Sequence, residues 1–240
     1  MKWGKLMGKM VRRGYVPSDE RDFSERAKVV LKEAADDIYY LLNHGYNMKS
    51  ASVFVGNHYM LSERQRLALA RMVSPEEQLV LRTQKCKTVL EDGEVVFIDG
   101  FNTIITLEIA LSGTTLLKCM DGTIRDLAGL RGTYSLIDKT SGAIHLAGKA
   151  LSGMNISKAV FYMDAPVSNT GRLAAFIHQE LSGYGFEVGT EVINNVDSVL
   201  SGLSNVITGD AIILDKCISW INLVRGIIDT EFPGYPYVSL

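Results

Sequence analysis

The residues best suited to chemistry in this chain are aspartates placed at the ends of short apolar runs. Asp99 ends Val95-Val96-Phe97-Ile98, Asp164 ends Val160-Phe161-Tyr162-Met163, and Asp210 follows Val206-Ile207-Thr208-Gly209. Each run reads as a buried strand, and in an open parallel sheet the carboxyl ends of the strands share one edge, where ligands bind. Three carboxylates distant in sequence are therefore expected in one crevice. Such a cluster repels itself unless a hard divalent cation, Mg2+ or Mn2+, neutralises it. A bound cation of that kind lowers the pKa of a water and stabilises charge on a phosphate oxygen. The competing expectation is that each Asp only caps the helix that follows its strand.

Other side chains are candidates for the same crevice. Asp215, five residues beyond Asp210, and Asp126 are extra acids that would extend the metal set, although Asp215 also suits a solvated helix face. Gly100 lets the backbone bend after the first strand, and Asn102 either caps the next helix or binds phosphate or a metal-bound water. The segment from Asp121 to Gly132 has mixed charges and three glycines. Its Arg125 and Arg131 suit a bidentate grip on phosphate, or else salt bridges within the loop. In Ser168-Asn169-Thr170-Gly171-Arg172, polar groups gather at a helix N-terminus, an anion site in which Asn169 and Arg172 are the expected contacts, although capping alone accounts for Ser168 or Asn169 and leaves only Arg172 unexplained.

Several common catalytic machines are excluded by spacing. The chain has no P-loop motif, no H-E-x-x-H and no G-x-S-x-G. Gly183-Tyr184-Gly185 lies between a helix and a strand, the reverse of dinucleotide-binding order. Phe101 stands where an aspartyl-phosphate loop starting at Asp99 would need its second acid. The histidines at 44, 58, 145 and 178 have no ligand spacing, and Cys86, Cys119 and Cys217 are read as small core hydrophobes.

The elements that position these residues follow from composition and periodicity. With 240 residues, 47% hydrophobic and 22% charged, the chain suffices for one large or two small domains. It has no membrane-length apolar run and no apolar signal-peptide region, so a soluble cytoplasmic protein is expected. Residues 1 to 17 read as a basic arm, either mobile or ordering on a partner, with Lys2, Lys5, Lys9, Arg12 and Arg13. Residues 18–88 read as a helical domain: one amphipathic helix from Ser18 to Asn43 ended by Gly45, a helix starting after Ser62, and one starting at Ser74-Pro75 with Glu77 completing a capping box.

From 93 to 240 strands and helices alternate, predicting an α/β domain whose parallel sheet is covered on both faces. Its expected strands include the run Thr115 to Cys119, and its last helix is expected from about Ala211 to Ile228. Charge divides along the same boundary. Residues 1–90 hold 16 Lys/Arg against 10 Asp/Glu, a balance of +6, and residues 91–240 hold 9 against 17, a balance of −8. A basic half beside an acidic half suits attraction of a polyanion by one and of cations by the other.

The stretches Val96-Phe97-Ile98-Asp99-Gly100-Phe101-Asn102 and Val206 to Asp215 resemble the PIN-like nuclease superfamily, especially its NYN branch. Over roughly residues 93–230 this resemblance implies a parallel α/β/α sandwich and Mg2+- or Mn2+-dependent cleavage of RNA, with Asp99 and Asp210 as metal ligands. The superfamily's additional acid has three competitors here, Asp126, Asp164 and Glu108. The whole chain also resembles an uncharacterised prokaryotic family with an N-terminal helical domain of unknown function, through Leu41 to Tyr46, Val55 to Tyr59 and Arg64-Gln65-Arg66. The expected function is a ribonuclease acting through Asp99, Asp164 and Asp210 on single-stranded or structured RNA. The alternative is a non-catalytic RNA-binding or assembly module, and self-association into a homo-oligomer is left open.

Overall fold

The computed structural model describes residues 11–129 and 132–240. The N-terminal part is helical: α1 Asp19–Asp22, α2 Glu25–Asn43, α3 Met48–His58, α4 Glu63–Met72 and α5 Glu76–Lys85. Where one helix was expected from 18 to 43 there are two. Ser24 turns extended, at φ −61° and ψ 160°, and its hydroxyl accepts from Ala27 N to start α2 afresh. Helix α3, absent from the sequence reading, begins where the Asn47 side chain accepts from Ser50 N at 2.9 Å. A full capping box of Ser62 and Gln65 opens α4.

The box expected at Ser74 does not form. Helix α5 starts after Pro75, and the Ser74 hydroxyl instead accepts from the buried Arg82 guanidinium at 2.9 Å.

The basic arm is also corrected where it is described; Lys2, Lys5 and Lys9 lie outside the described residues. Arg13 reaches the buried Glu108 carboxylate at 2.5 Å and lies over the Tyr134 ring, 4.8 Å from its centroid. Its Nη2 donates to the Ser135 carbonyl at 2.6 Å. A cation used to neutralise a buried acid is not free for a polyanion, so this end of the arm anchors the chain.

The α/β part runs β1 Val95–Asp99, α6 Gly100–Ser112, β2 Leu116–Lys118, β3 Ile124–Asp126, α7 Thr140–Ser152, β4 Lys158–Asp164 and α8 Thr170–Leu181. It continues with β5 Glu187–Ile193, α9 Val196–Leu200, β6 Val206–Ile207, α10 Ala211–Lys216, β7 Trp220–Ile221 and α11 Leu223–Glu231. Five strands form a parallel sheet in the order β5-β4-β1-β6-β7. Successive residues of a strand face opposite sides, and the two cores show it. Val96, Ile98, Phe161, Met163, Ile207 and Ile221 join the core under α6, α7, α8 and α11. Phe97, Tyr162, Val206 and Trp220 pack on the other face with α9 and α10.

Two expected elements differ. The run Thr115–Cys119 gives β2, which pairs antiparallel with β3 in a separate hairpin instead of joining the sheet. Leu117, Cys119 and Leu127 of this hairpin region pack into the core of α2, α3 and α4, so the hairpin carries the helical part. The long helix expected after Ala211 is cut at Cys217–Ser219, where Ser219 O accepts from Val206 N at 3.0 Å and the chain enters β7. The Lys85 ammonium takes up the carbonyls of Leu214, Asp215 and Cys217 freed at this break, at 2.8–3.0 Å. No helix among the described residues is long and apolar enough to cross a membrane.

Candidate functional site

From β1 the chain adds strands to one side, β4 then β5, and afterwards to the other, β6 then β7. The order therefore reverses between β1 and β6, and at such a switch point the diverging connections leave a crevice outside the carboxyl ends of the strands. A cavity of about 590 Å3 lies there, with Asp99, Asp164, Asp197 and Asp210 in its wall.

The end of β1 is locked to the end of β6. Asp99 Oδ1 accepts from Asn102 N at 3.3 Å, capping α6, while its Oδ2 accepts from the Thr208 hydroxyl at 2.9 Å. Asn102 Oδ1 accepts from Gly209 N at 2.7 Å. Asp210 Oδ1 caps α10 by accepting from Ile212 N at 2.8 Å and Ile213 N at 3.3 Å. Capping and a place in the crevice thus coexist: the cap at Asp210 engages Oδ1 and leaves the second oxygen, whereas at Asp99 both oxygens accept from protein donors. Gly100 has a reason other than the bend expected of it: a Cβ there would meet Met163 Sδ and lie 3.0 Å from the Tyr162 carbonyl.

The electrostatics join these acids into one unit. Burial pushes the Asp99 carboxyl up to about 7, against the hydrogen bonds from Thr208 and Asn102 and with added repulsion from Asp210 and Asp197. Burial and the Asp197 charge raise Asp164, and burial and the Asp210 charge raise Asp197.

Asp197 was not foreseen. It lies in the first turn of α9, just past β5, and its signal was an acid shortly after a strand in Ile193-Asn194-Asn195-Val196-Asp197. Arg71, from the last turn of α4, is a second unforeseen member of the wall.

The remaining expected residues have other surroundings. Asp126 lines the cavity, but its carboxylate accepts from Ala128 N at 2.7 Å and from the Thr106 hydroxyl at 3.3 Å. Arg125 also lines it, with a guanidinium taken up by the Gly209 carbonyl, the Arg71 carbonyl and Asp121. Asp215 is outside the cavity and pairs with Arg82 at 2.6 Å. Asn169 turns left-handed at φ 62° and donates to the Tyr134 carbonyl at 2.6 Å, and Arg172 is exposed on α8; neither reaches the aspartates' cavity. Arg131 lies outside the described residues. Glu108, the other competitor for an additional acid, is buried with Arg13, Tyr134 and Thr140.

The carboxylates of the wall are oxygen donors of the kind that suits Mg2+ or Mn2+, and they share it with the guanidinium groups of Arg71 and Arg125. Among the described residues no three His, Cys, Asp or Glu side chains stand together as a ready-made cage. A hard cation that keeps several of its waters and meets one or two carboxylates fits such a wall.

Comparison with known proteins agrees with this two-part organisation. A domain of unknown function (DUF5616) matches residues 89–226, and a protein of unknown function (DUF434) matches residues 30–85. An uncharacterized protein of Methanocaldococcus jannaschii, MJ0935, is 34% identical over 185 residues, which are 77% of this chain and 88% of that protein. No solved structure matches the chain.

Proposed function

Starting from a chain that belongs to the DUF5616 family, we propose that the aspartate cavity is a metal-dependent ribonuclease site. The observation that carries this reading is the convergence of Asp99, Asp164, Asp197 and Asp210 on one cavity, while the guanidinium of Arg125 in its wall is spent elsewhere and that of Arg71 is held through Nη1 on the Asp126 carbonyl. RNA as the substrate is supported by the resemblance of residues 96–102 and 206–215 to the PIN-like nucleases.

Of Asp99, Asp164 and Asp210, one or two would hold Mg2+ or Mn2+ directly, and the rest, with Asp197, would meet its waters. The bound cation would supply countercharge and make a water acidic enough to attack phosphorus near neutral pH. Thr208 and Asn102 fix the Asp99 carboxylate from both sides, and the first turn of α10 fixes Asp210, so neither has to reorganise when substrate enters. Asp197, whose carboxyl is raised from its ordinary value by burial and by the Asp210 charge, is suited to take a proton from the attacking water. Asp215 drops out of the ligand set in this reading because it lies outside the cavity and pairs with Arg82, and Asp126 drops out because the Arg71 guanidinium, 4.0 Å from its carboxylate, already supplies a countercharge.

The test has two readouts. Titration calorimetry should show Mn2+ binding that Asp99→Asn and Asp210→Asn abolish, and the same substitutions should abolish cleavage of single-stranded or structured RNA in Mn2+. RNA binding without Mn2+ binding would reject the nuclease and assign a non-catalytic RNA-binding module.

A further inference from the structure

The aspartate cavity is walled on one side by a residue of the helical part. Arg71 stands in the last turn of α4, and its Nη1 donates to the Asp126 carbonyl at 2.6 Å. Nη1 also stands 4.0 Å from the Asp126 carboxylate, while Nε and Nη2 have no hydrogen-bond partner among the described residues. Arg125, the other guanidinium of the wall, spends every nitrogen on Gly209, Arg71 O and Asp121. Arg71 therefore brings the available donors of the cavity, and it is about one-third exposed.

Its position is rigid. The Arg71 carbonyl accepts from Arg125, and the neighbouring Met72 carbonyl accepts from Met120 N at 3.0 Å, so the end of α4 is tied to the β2–β3 hairpin at two points. Leu69 and Met72 of α4 share a core with Leu117, Cys119 and Leu127 of the hairpin region.

We propose that Arg71 is a substrate-binding residue that holds a phosphate of a single-stranded RNA next to the one presented to the aspartates, so that the helical part completes the active site. This inference rests on the ribonuclease reading and deepens it. The chemistry is specific: a planar guanidinium in the cavity wall, fixed through Nη1 on a carbonyl, keeps Nε and Nη2 as two donors for phosphate oxygens. It also gives the junction of the two parts a function, because a cavity lined by five carboxylates needs a fixed cation on its approach to receive a polyanion.

Binding of a short single-stranded oligoribonucleotide, followed by fluorescence anisotropy over a range of salt, tests it together with cleavage kinetics in Mn2+. Arg71→Ala should weaken binding about tenfold and flatten the dependence of log K on log salt by about 0.7, the share of one phosphate contact on a single strand. Arg71→Lys should keep the salt slope, since its charge remains, while losing part of the affinity with the fork. Arg21→Ala, at an exposed arginine paired with Asp22 outside the cavity, should change neither. A wild-type protein that binds RNA while Arg71→Ala or Arg71→Lys, folded, keeps full affinity overturns this inference alone. A wild-type protein that binds neither RNA nor Mn2+ overturns the ribonuclease reading and this inference with it.

Discussion

Two regions of the molecule bury aspartates and treat them in opposite ways. At the junction between the helical and α/β parts, Asp121 meets the guanidinium groups of Arg82 and Arg125, and Arg82 also takes Asp215 at 2.6 Å and the Ser74 hydroxyl at 2.9 Å. Burial works against ionisation of Asp121, yet the Arg125 charge, two hydrogen bonds from Thr123 and the Arg82 charge hold it below the usual carboxylate range. At the sheet edge Asp99 is comparably buried but receives only neutral donors, and it is pushed up to about 7. Burial alone does not set the charge state of these groups; the partner does. The junction is a closed network of paired charges, whereas Asp99, Asp164, Asp197 and Asp210 in the cavity have no ion pair with an arginine or lysine among the described residues.

Breaking the closed network should have the largest effect. Arg82→Met leaves Asp121 with one partner fewer in a fully buried site and Asp215 with none of its present guanidinium contact. Removal of one side of a buried pair costs about 3–5 kcal/mol, a loss to be read from urea unfolding. An unchanged midpoint would mean that water or Arg125 takes over the whole duty of Arg82.

Removing charge from the open cluster should act with the other sign. In the metal-free protein the folded Asp99 keeps its proton up to about pH 7, whereas in the unfolded chain it is lost near 3.8. Below pH 3.8 both states are protonated and the group has no effect on stability. As pH rises toward 7 the unfolded chain releases the proton first, so stability falls. At about 1.4 kcal/mol per unit of pKa the loss is at most roughly 4 kcal/mol. Asp99→Asn should therefore stabilise the metal-free protein above pH 7 and leave it unchanged at pH 4. Its Oδ1 can still accept from Asn102 N, while the amide donates to Thr208. Equal stabilisation at both pH values would show that shape, not charge, is strained at this position.

The contrast between the regions was only partly legible in the sequence. Asp99, Asp164 and Asp210 could be found because an unbroken apolar run gives a buried strand and the next residue marks its carboxyl end. Asp197 was hidden because β5 is half-exposed and its acid comes one turn later, in a short helix. Arg71 reads in sequence as a basic residue at a helix C-terminus, and only the docking of α4 on the hairpin turns it toward the acids. Asp215 could not be separated from Asp210 because the continuous apolar pattern from Ala211 to Ile228 hides the break before β7. That break depends on pairing with β6, a tertiary event to which helical periodicity is blind. Ser74 misled for a related reason: its hydroxyl suits a cap, but a buried guanidinium eight residues on is the stronger claimant.

The smallest effect is the one that separates a cluster from a set of neighbours. Asp197 adds repulsion to both Asp99 and Asp164, and Asp210 adds it to Asp99 and Asp197. If the four acids share one field, neutralising one must lower the pKa values of the others, because each loses a like charge that opposed its ionisation. Asp197→Asn should thus move the Asp99 and Asp164 titrations downward, and Asp210→Asn should move those of Asp99 and Asp197 downward, as followed by carboxyl carbon NMR in the metal-free protein. Asp215→Asn is the matching control, since that carboxylate is paired with Arg82 at the junction. An Asp99 titration that ignores Asp197 would leave desolvation as the sole cause of its shift and remove Asp197 from the electrostatic unit. Equal responses to Asp197→Asn and Asp215→Asn would dissolve the distinction between the two regions, because charge at the junction would then be felt in the cavity as strongly as charge within it.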